Sequence, residues 1–265
     1  MHFSLHPPPP ALSPWVKTLW RARGTKVEFE APEPIVPDGC VEMIFNLGDP
    51  FVNDGGRQPF DLLAGQMTGP VTALPTGAVD LIGVRFWPGR AGAAFRTPMW
   101  QLQDQLIGAS GVIAGSERLA DDLRNMRHDL RLDYLTATLA ARFGAANPSP
   151  ANAVDHALAI IDARRGNVAI DKLAKHVGWT RRHLERRFKD EVGLGAKQMA
   201  RIARVHAVLE VLQQQPLLSG ADIAAQCGYS DQPHMIRECK ALTGLTPARL
   251  MTSQRSLAGH LRAAP

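Results

Sequence analysis

A group of charged side chains at residues 181–189 has the chemistry that reading DNA bases requires. Arg181, Arg182, Glu185, Arg186 and Lys189 share one face if this stretch is a helix. Arginine can donate two parallel hydrogen bonds to guanine O6 and N7, and glutamate can accept one from cytosine N4. The remaining cations would hold phosphates, which positions a protein on a duplex without selecting its sequence. The same residues could instead form a solvated helix face, so the neighbouring sequence has to distinguish between these two possibilities.

The surroundings predict a helix-turn-helix. A first helix is expected over about Ile170–Val177, and Gly178 suits a following turn that needs a positive φ. Thr180 is placed to cap the second helix. Leu184 and Phe188 lie four residues apart, so both would face the core. The charged side chains would then lie on the outer face.

The same motif recurs about 51 residues later. Ser230 is expected to cap the second helix of this copy, and Pro233 is acceptable in its first turn. Gln232 could pair with adenine and Arg237 with guanine. The expected inner stripe is Met235, Cys239 and Leu242. Because this copy carries fewer exposed cations, we expect it to bind DNA more weakly than the first copy.

A long helix is predicted between the two copies, over Ala196–Gln213. Its 18 residues would span about 27 Å at 1.5 Å per residue. Two helices that enter successive major grooves on one face of a duplex lie about 34 Å apart. A stiff connector with flanking turns suits that spacing, so one chain could present two reading helices.

With both copies and the connector in view, residues 152–252 resemble the two-headed DNA-binding domain of the AraC/XylS family of transcription regulators. The resemblance rests on Leu173-Ala174, Gly178, Thr180, His183-Leu184, Arg186, Phe188-Lys189, Gly193-Leu194, Ile223-Ala224, Cys227-Gly228-Tyr229-Ser230, Arg237, Lys240 and Thr243-Gly244-Leu245-Thr246-Pro247. It implies that the outer positions of both reading helices face bases or nearby phosphates. Cys239 stands where the family usually has phenylalanine. The predicted DNA-contacting set is Thr180, Arg181, Arg182, His183, Glu185, Arg186, Lys189, Ser230, Gln232, Pro233, His234 and Arg237.

The first half of the chain shows the alternation of a half-buried sheet, followed by helical spacing. Residues 41–47 and 82–87 alternate apolar and polar side chains, and the apolar period becomes helical from Met99 onward. The predicted fold is an α+β N-terminal domain, a small β-sheet or barrel plus helices. It is joined to an all-α domain with two helix-turn-helix motifs linked by a long helix. The polar strand residues either line a polar-rimmed pocket between the sheet and the helices or form a solvated face; they are Cys40, Glu42, Asn46, Arg85 and Trp87.

The domain boundary is predicted at residues 144–150, where two prolines interrupt the helical pattern. This places a sensor or dimerisation domain at residues 1–146 and a DNA-binding domain at 151–255, with motifs at about 170–190 and 221–242. Residues 151–265 hold 17 lysines and arginines against 10 aspartates and glutamates, whereas residues 1–150 hold 13 against 15. A basic half joined to a mildly acidic half indicates a polyanionic partner for the basic half alone.

Few features of the chain suggest enzymatic chemistry or a bound metal. No histidine lies between Pro7 and Arg127, which argues against the His-built metal site of a cupin-type enzyme. We therefore expect no catalytic residue, no cofactor and no metal. No apolar run is long enough for a membrane span, and the N-terminus lacks the pattern of a secretory signal. Three cysteines without metal-like pairing fit a reducing cytosol.

The sequence thus predicts a bacterial transcription regulator that binds double-stranded promoter or operator DNA, in the cytoplasm at the nucleoid. RNA polymerase, a small-molecule effector and a second copy of the chain are further candidate partners, since the family's N-terminal domains sense small molecules or mediate dimerisation. One alternative is a ligand-binding or enzymatic N-terminal domain that the helix-turn-helix module tethers to DNA. Another is a non-specific architectural protein, which would bind all sequences with a steep salt dependence.

Overall fold

A six-stranded antiparallel sheet organises the N-terminal half in the computed structural model, which describes residues 2–29, 36–53, 56–143 and 151–252. The predicted boundary at 144–150 lies outside the described residues. In chain order the strands of this sheet are β1 (His2–His6), β2 (Val16–Thr25), β3 (Glu42–Asn46), β6 (Asp61–Ala64), β8 (Ala78–Phe86) and β9 (Leu106–Gly108). Their order across the sheet is β1-β2-β8-β3-β6-β9. A second, three-stranded sheet is formed by β4 (Phe51–Asn53), β5 (Gly56–Arg57) and β7 (Leu74–Pro75).

One face of the six-stranded sheet packs against helices. These are the short α1 (Ala91–Phe95), then α2 (Ser116–Asn125) and α3 (Arg131–Phe143). The alternation predicted for residues 41–47 and 82–86 is confirmed, because Met43, Phe45, Val84 and Phe86 are all buried in the core that α2 and α3 cover. The N-terminal half is therefore a sheet with helices on one face, the α+β architecture expected.

The opposite sheet face is not a solvated surface. Glu42, Asn46 and Arg85 are buried, as is Cys40 just before β3. They line a cavity between the sheet and the chain that follows β4. Of the two interpretations that the sequence left open for this face, the structure favours the pocket, although strands and loops form the wall of this cavity and the predicted helices do not. Trp87 differs from the other four, since 40% of it is exposed and it lies outside this cavity.

The C-terminal half is all helical and built around one long helix. Its elements are α4 (Ala153–Ala163), α5 (Ile170–His176), α6 (Arg181–Glu191), α7 (Ala196–Gln214), α8 (Gly220–Gln226), α9 (Gln232–Thr243) and α10 (Pro247–Thr252). We call α5–α6 the first head and α8–α9 the second head. The predicted connector is α7, whose Met199, Ile202, Val205 and Leu209 are buried in the core shared by both heads. At 19 residues it spans about 28 Å.

The turn before β3 is one of the places where the two halves contact each other. Val36 packs within the helical core, and the Pro37 carbonyl lies 2.8 Å from Nε2 of His206 on α7. A guanidinium N–H of Arg90 donates to Asp155 of α4 at 2.9 Å. These contacts attach the sheet to α4 and to the connector helix. No helix in the described part of the chain is long and apolar enough to cross a membrane.

Candidate nucleic-acid interface

The first head has the local geometry that the sequence predicts. Gly178 has a φ of +74°, a conformation that a side chain would strain. The Thr180 hydroxyl accepts a hydrogen bond from the His183 N–H at 3.2 Å, so Thr180 is the N-cap of α6. Leu184 and Phe188 are fully buried. This fixes the phase of the helix, and with it the face that points outward.

The outward face of α6 is cationic. Arg181, Arg182, Arg186 and Lys189 are exposed, and Glu185 is half-buried among them. Their side chains are only loosely held: Arg181 lies 3.5 Å from Asp171, and Arg186 lies 3.3 Å from the His183 ring. Exposed guanidinium groups with weak partners can turn to another acceptor without leaving a buried charge behind.

Two residues of α6 are less available than the rest of the face. The His183 ring packs edge-on against Trp179, with ring centroids 4.6 Å apart, and is half-buried. Arg187, which was not among the predicted contacts, forms an ion pair with Glu191 at 2.5 Å one turn later. Glu191 also accepts a hydrogen bond from Asn152, the cap of α4. Arg187 therefore has a structural partner.

The second head departs from the prediction at its cap. Ser230 is not the N-cap of α9; the cap is Asp231, whose carboxylate accepts a hydrogen bond from the His234 N–H at 2.6 Å. The expectation for Ser230 as cap was wrong. The Ser230 hydroxyl instead lies 3.1 Å from Nδ1 of His234.

The cause is one extra residue in the second copy of the turn. Met235, the first buried residue of α9, comes seven residues after Gly228, whereas Leu184 comes six after Gly178. Helix phase is set by the buried side chains, so Asp231 takes the place of Thr180. Counting from the glycine to the first apolar residue of the inner stripe would have identified Asp231 from the sequence.

The outer face of α9 carries Gln232, Pro233 and Arg237 as exposed residues. His234 is half-buried, with its ring edge-on to Tyr229 at 5.3 Å. Met235, Cys239 and Leu242 are buried, which confirms the predicted inner stripe. The predicted contact residues thus lie on two separate helices, with Arg186 and Arg237 at corresponding positions 51 residues apart.

A buried carboxylate that sequence reasoning missed holds the second head to the connector. Glu238 on α9 is 7% exposed and accepts hydrogen bonds from Arg201 and Arg204 of α7, at 3.3 and 3.2 Å. The Tyr229 hydroxyl donates to the same carboxylate at 3.3 Å. Burial, and then Glu238, raise the pKa of Tyr229. Glu238 lies on the inner face of the amphipathic helix α9. An acidic residue among the apolar residues of that face was the one signal by which the sequence could have identified it.

The cysteines have the environment of core residues. All three are free and buried. Burial raises the pKa of Cys239 to about 12, and burial also raises the pKa of Cys40 and Cys227. A thiol with a raised pKa is a poor nucleophile, because the thiolate is the reactive form. Among the residues that the structure describes, no group of three or more His, Cys, Asp or Glu side chains could hold a metal ion.

The cap assignment can be tested by stability measurements. Asp231→Ala is expected to lower the free energy of unfolding by about 1 kcal/mol, the usual cost of losing an N-cap. Ser230→Ala, the matched control, is expected to cost no more than about 0.5 kcal/mol, as for most surface substitutions. Urea denaturation of both variants measures the difference. A larger loss in Ser230→Ala would contradict the assignment.

Two capped helices with exposed polar faces, each following a glycine turn, define a protein with two helix-turn-helix units. A family model described as a helix-turn-helix domain matches residues 173–253, so this part of the chain is a helix-turn-helix domain of the AraC type, as the sequence resemblance predicted. A second model, described as a domain of unknown function (DUF6597), matches residues 4–108.

The relatives that match are described as transcriptional regulators. Uncharacterized HTH-type transcriptional regulators from Staphylococcus aureus, including one from strain MSSA476, are 29% identical over 82 residues. The match covers 31% of this chain but only 11% of those much longer proteins.

Solved structures give weaker similarities. ToxT from Vibrio cholerae aligns with a TM-score of 0.48 at 8% identity, covering 88% of this chain and 97% of that one. A Chromobacterium violaceum regulator with an AraC-type DNA-binding domain aligns with a TM-score of 0.36 at 26% identity, covering 43% of this chain and 94% of that one.

Proposed function

We propose that this protein is a sequence-specific DNA-binding transcription regulator of the AraC/XylS type that reads two successive major grooves. The observation that carries the proposal is the outward face of α6, where exposed arginines stand on a helix whose phase is set by Thr180, Leu184 and Phe188. Arginines held on a rigid helix at such a face can pair with guanine edges, whereas a flexible basic segment would contact mainly phosphates.

The proposal assigns separate roles to the two halves. Residues 1–146 form a domain that senses a small molecule or mediates dimerisation, and residues 151–255 bind promoter or operator DNA. The contacting residues are the twelve named from the sequence, with Arg186 and Arg237 as the base-reading pair. RNA polymerase and a second copy of the chain are further partners of such a regulator, which would act in the cytoplasm at the nucleoid. Its mechanism is binding, so we propose no catalytic role.

The two heads are proposed to differ in strength. The outer face of α6 exposes three arginines and a lysine, whereas the outer face of α9 has Arg237 and Lys240 as its exposed cations. Phosphate contacts supply much of the affinity for DNA. The first head would therefore contribute more of the binding free energy, and the second would add selectivity.

The direct test is selection of binding sites from random duplex DNA by the full-length protein, followed by gel shifts on the selected site. Arg186→Ala is expected to cost about 1–3 kcal/mol on the selected site and to relax the preference at one base pair, with a smaller loss on random DNA. Arg237→Ala should act likewise at a second base pair, about one helical turn away.

Arg187→Ala is the matched control, because Arg187 lies on the same helix but is engaged by Glu191. It should leave the base preference unchanged. Equal losses for Arg186→Ala on selected and random DNA would show that Arg186 touches only phosphate. Selection that yields no preferred sequence, with a steep salt dependence, would favour the non-specific architectural protein instead.

A further inference from the structure

The cavity on the second face of the six-stranded sheet gives the N-terminal half a site whose ligand the proposed function leaves undefined. It has a volume of about 100 Å³. Most of its wall is apolar, and that part includes Ile44, Phe51, Leu62, Met67, Leu81 and Leu106. Among the described residues of the wall, the charged side chains are Asp38, Glu42 and Arg85, which lie together at one end.

The charges of the wall are compensated within their own cluster. Arg85 donates from Nε to Glu42 Oε1 at 2.5 Å, and its Nη1 lies 3.3 Å from Asp38 Oδ2. Burial opposes the ionisation of Asp38, but Arg85 and His206 of α7 help to hold the pKa of that carboxyl below its usual value. Burial raises the pKa of Glu42 above its usual value, although Arg85 and the Trp20 indole act in the opposite direction. Each carboxyl therefore already has partners in the protein.

We propose that this cavity binds a small, uncharged and largely apolar molecule, no larger than benzene. A charged ligand would lose its hydration without gaining a counter-ion from the described wall, because Asp38, Glu42 and Arg85 already satisfy one another. Apolar atoms that enter the cavity leave water and gain contacts with apolar side chains. An apolar cavity of about 150 Å³ holds benzene, and this one is smaller.

One wall of the cavity belongs to the turn before β3, which rests on the connector helix. Pro37 and Asp38 line the cavity, and Nε2 of His206 lies 2.8 Å from the Pro37 carbonyl oxygen. Gly39, in the same turn, packs so closely on Met199 of α7 that an added Cβ would fall 2.6 Å from the sulfur. This wall cannot move far without disturbing the contact with α7.

A second wall belongs to residues 64–71, the segment that follows β6, and this segment touches both heads. Its members in the cavity wall are Ala64, Gly65, Met67 and Val71. Gln66 lies against Gly193, the glycine after α6, where an added Cβ would be 2.5 Å from Gln66 Oε1. Pro70 lies against Gly244, the C-cap of α9, where an added Cβ would be 3.4 Å from Pro70 Cγ. One segment thus borders the cavity and contacts the C-terminal ends of both reading helices.

Occupancy of the cavity should therefore affect DNA binding, an inference that rests on the proposed function. A ligand stabilises the arrangement of the chain in which its cavity exists. In that arrangement both wall segments rest against the C-terminal half, and the outer faces of α6 and α9 are exposed. The ligand is thus expected to hold both heads in place and to tighten binding to the selected DNA site.

The first test measures ligand binding by the full-length protein without DNA. The probes are 2-methylpropan-1-ol, 2-methylpropan-1-amine and 2-methylpropanoate, which carry a hydroxyl, an ammonium or a carboxylate on the same four-carbon skeleton. Binding is followed by the methyl NMR resonance of Met67, assigned with Met67→Leu, and Met126 at the end of α2 is the reference outside the cavity. We expect a saturable shift with the alcohol, and binding of each charged probe weaker by about tenfold or more, which corresponds to about 1.4 kcal/mol.

A cavity-filling substitution locates the site. Ala73 is half-buried in the cavity wall, so Ala73→Leu adds three carbon atoms there and should weaken binding of the alcohol by about tenfold or more. Ala137→Leu is the matched control, because it adds the same atoms at an exposed position of α3, on the other face of the sheet. It should leave binding unchanged. The probe series on the unaltered protein decides the question even if Ala73→Leu does not fold.

The second test measures the effect on DNA binding by gel shifts on the selected site. Saturating 2-methylpropan-1-ol should tighten binding about threefold or more, whereas 2-methylpropanoate at the same concentration should not, and Ala73→Leu should remove the response. Absence of a saturable shift at Met67, or binding of a charged probe as tightly as the alcohol, would overturn the ligand assignment. Unchanged DNA affinity at saturation would overturn the coupling. Gel shifts without any probe test the DNA-binding function separately, so the failures can be told apart.

Discussion

Glu238→Ala is expected to lower the free energy of unfolding by about 3 kcal/mol, near the lower end of the 3–5 kcal/mol seen when one partner of a buried ion pair is removed. The substitution leaves Arg201 and Arg204 facing each other without the carboxylate that accepts their hydrogen bonds, and it removes the acceptor of the Tyr229 hydroxyl. Both arginines reach solvent in part, at 30% and 19% exposure, so water recovers some of the loss.

The matched control is Glu210→Ala. Glu210 also forms an ion pair, with Arg165, but both side chains are about half exposed. Exposed ion pairs contribute about 0–1 kcal/mol, so we expect a correspondingly small change. Urea denaturation with a common m value measures both variants. Similar losses in the two variants would mean that the Glu238 cluster does not hold the second head to α7.

Gly166→Ala is expected to cost about 3 kcal/mol, because two penalties add. Gly166 has a φ of +74°, and an L-residue in this region costs about 1–2 kcal/mol. An added Cβ would also lie 2.0 Å from the Ala200 carbonyl oxygen and 2.7 Å from the Arg204 nitrogen. Both are backbone atoms of α7, so neither can move without shifting the connector helix. Overpacking of this kind adds about 1–3 kcal/mol.

Gly178→Ala separates the two penalties. Gly178 has the same φ of +74°, but a Cβ there meets nothing within 4 Å. We expect a cost of about 1 kcal/mol from the backbone alone. Thermal unfolding of both variants gives the difference, which measures the contact between the turn after α4 and α7. Equal losses of stability in the two variants would show that the backbone of α7 moves to accommodate the added Cβ at little cost.

Local sequence patterns were sufficient for most of the C-terminal half. The predicted helix over Ala196–Gln213 ends within one residue of α7, and Thr180 caps α6 as expected. Such features depend on side-chain periodicity and on hydrogen bonds between residues a few positions apart, so the local sequence is enough to predict them. The N-cap of α9 was predicted wrongly because the distance from glycine to cap in the first copy was applied to the second copy. The buried Met235 sets the phase of α9 and makes Asp231 the cap.

The N-terminal half was less predictable beyond its strand pattern. Alternation at residues 41–47 indicated which side chains face the helices, but it could not show what covers the opposite face. Glu42 and Arg85 are 43 residues apart, and they meet because β3 and β8 pair in the register that places them side by side. Pairing between strands so far apart in sequence depends on the whole sheet, so no local pattern predicts it.

The amino-acid sequence alone determined the duplicated motif, the stiff connector and the face of each helix that points outward, because helical period and turn chemistry act over a few residues. Tertiary structure decided that Glu238 joins the second head to α7, and that Asp38, Glu42, Arg85 and Trp20 surround one cavity. These features arise where segments that are distant in sequence bury side chains against each other. Which side chains become buried depends on the fold of the whole chain.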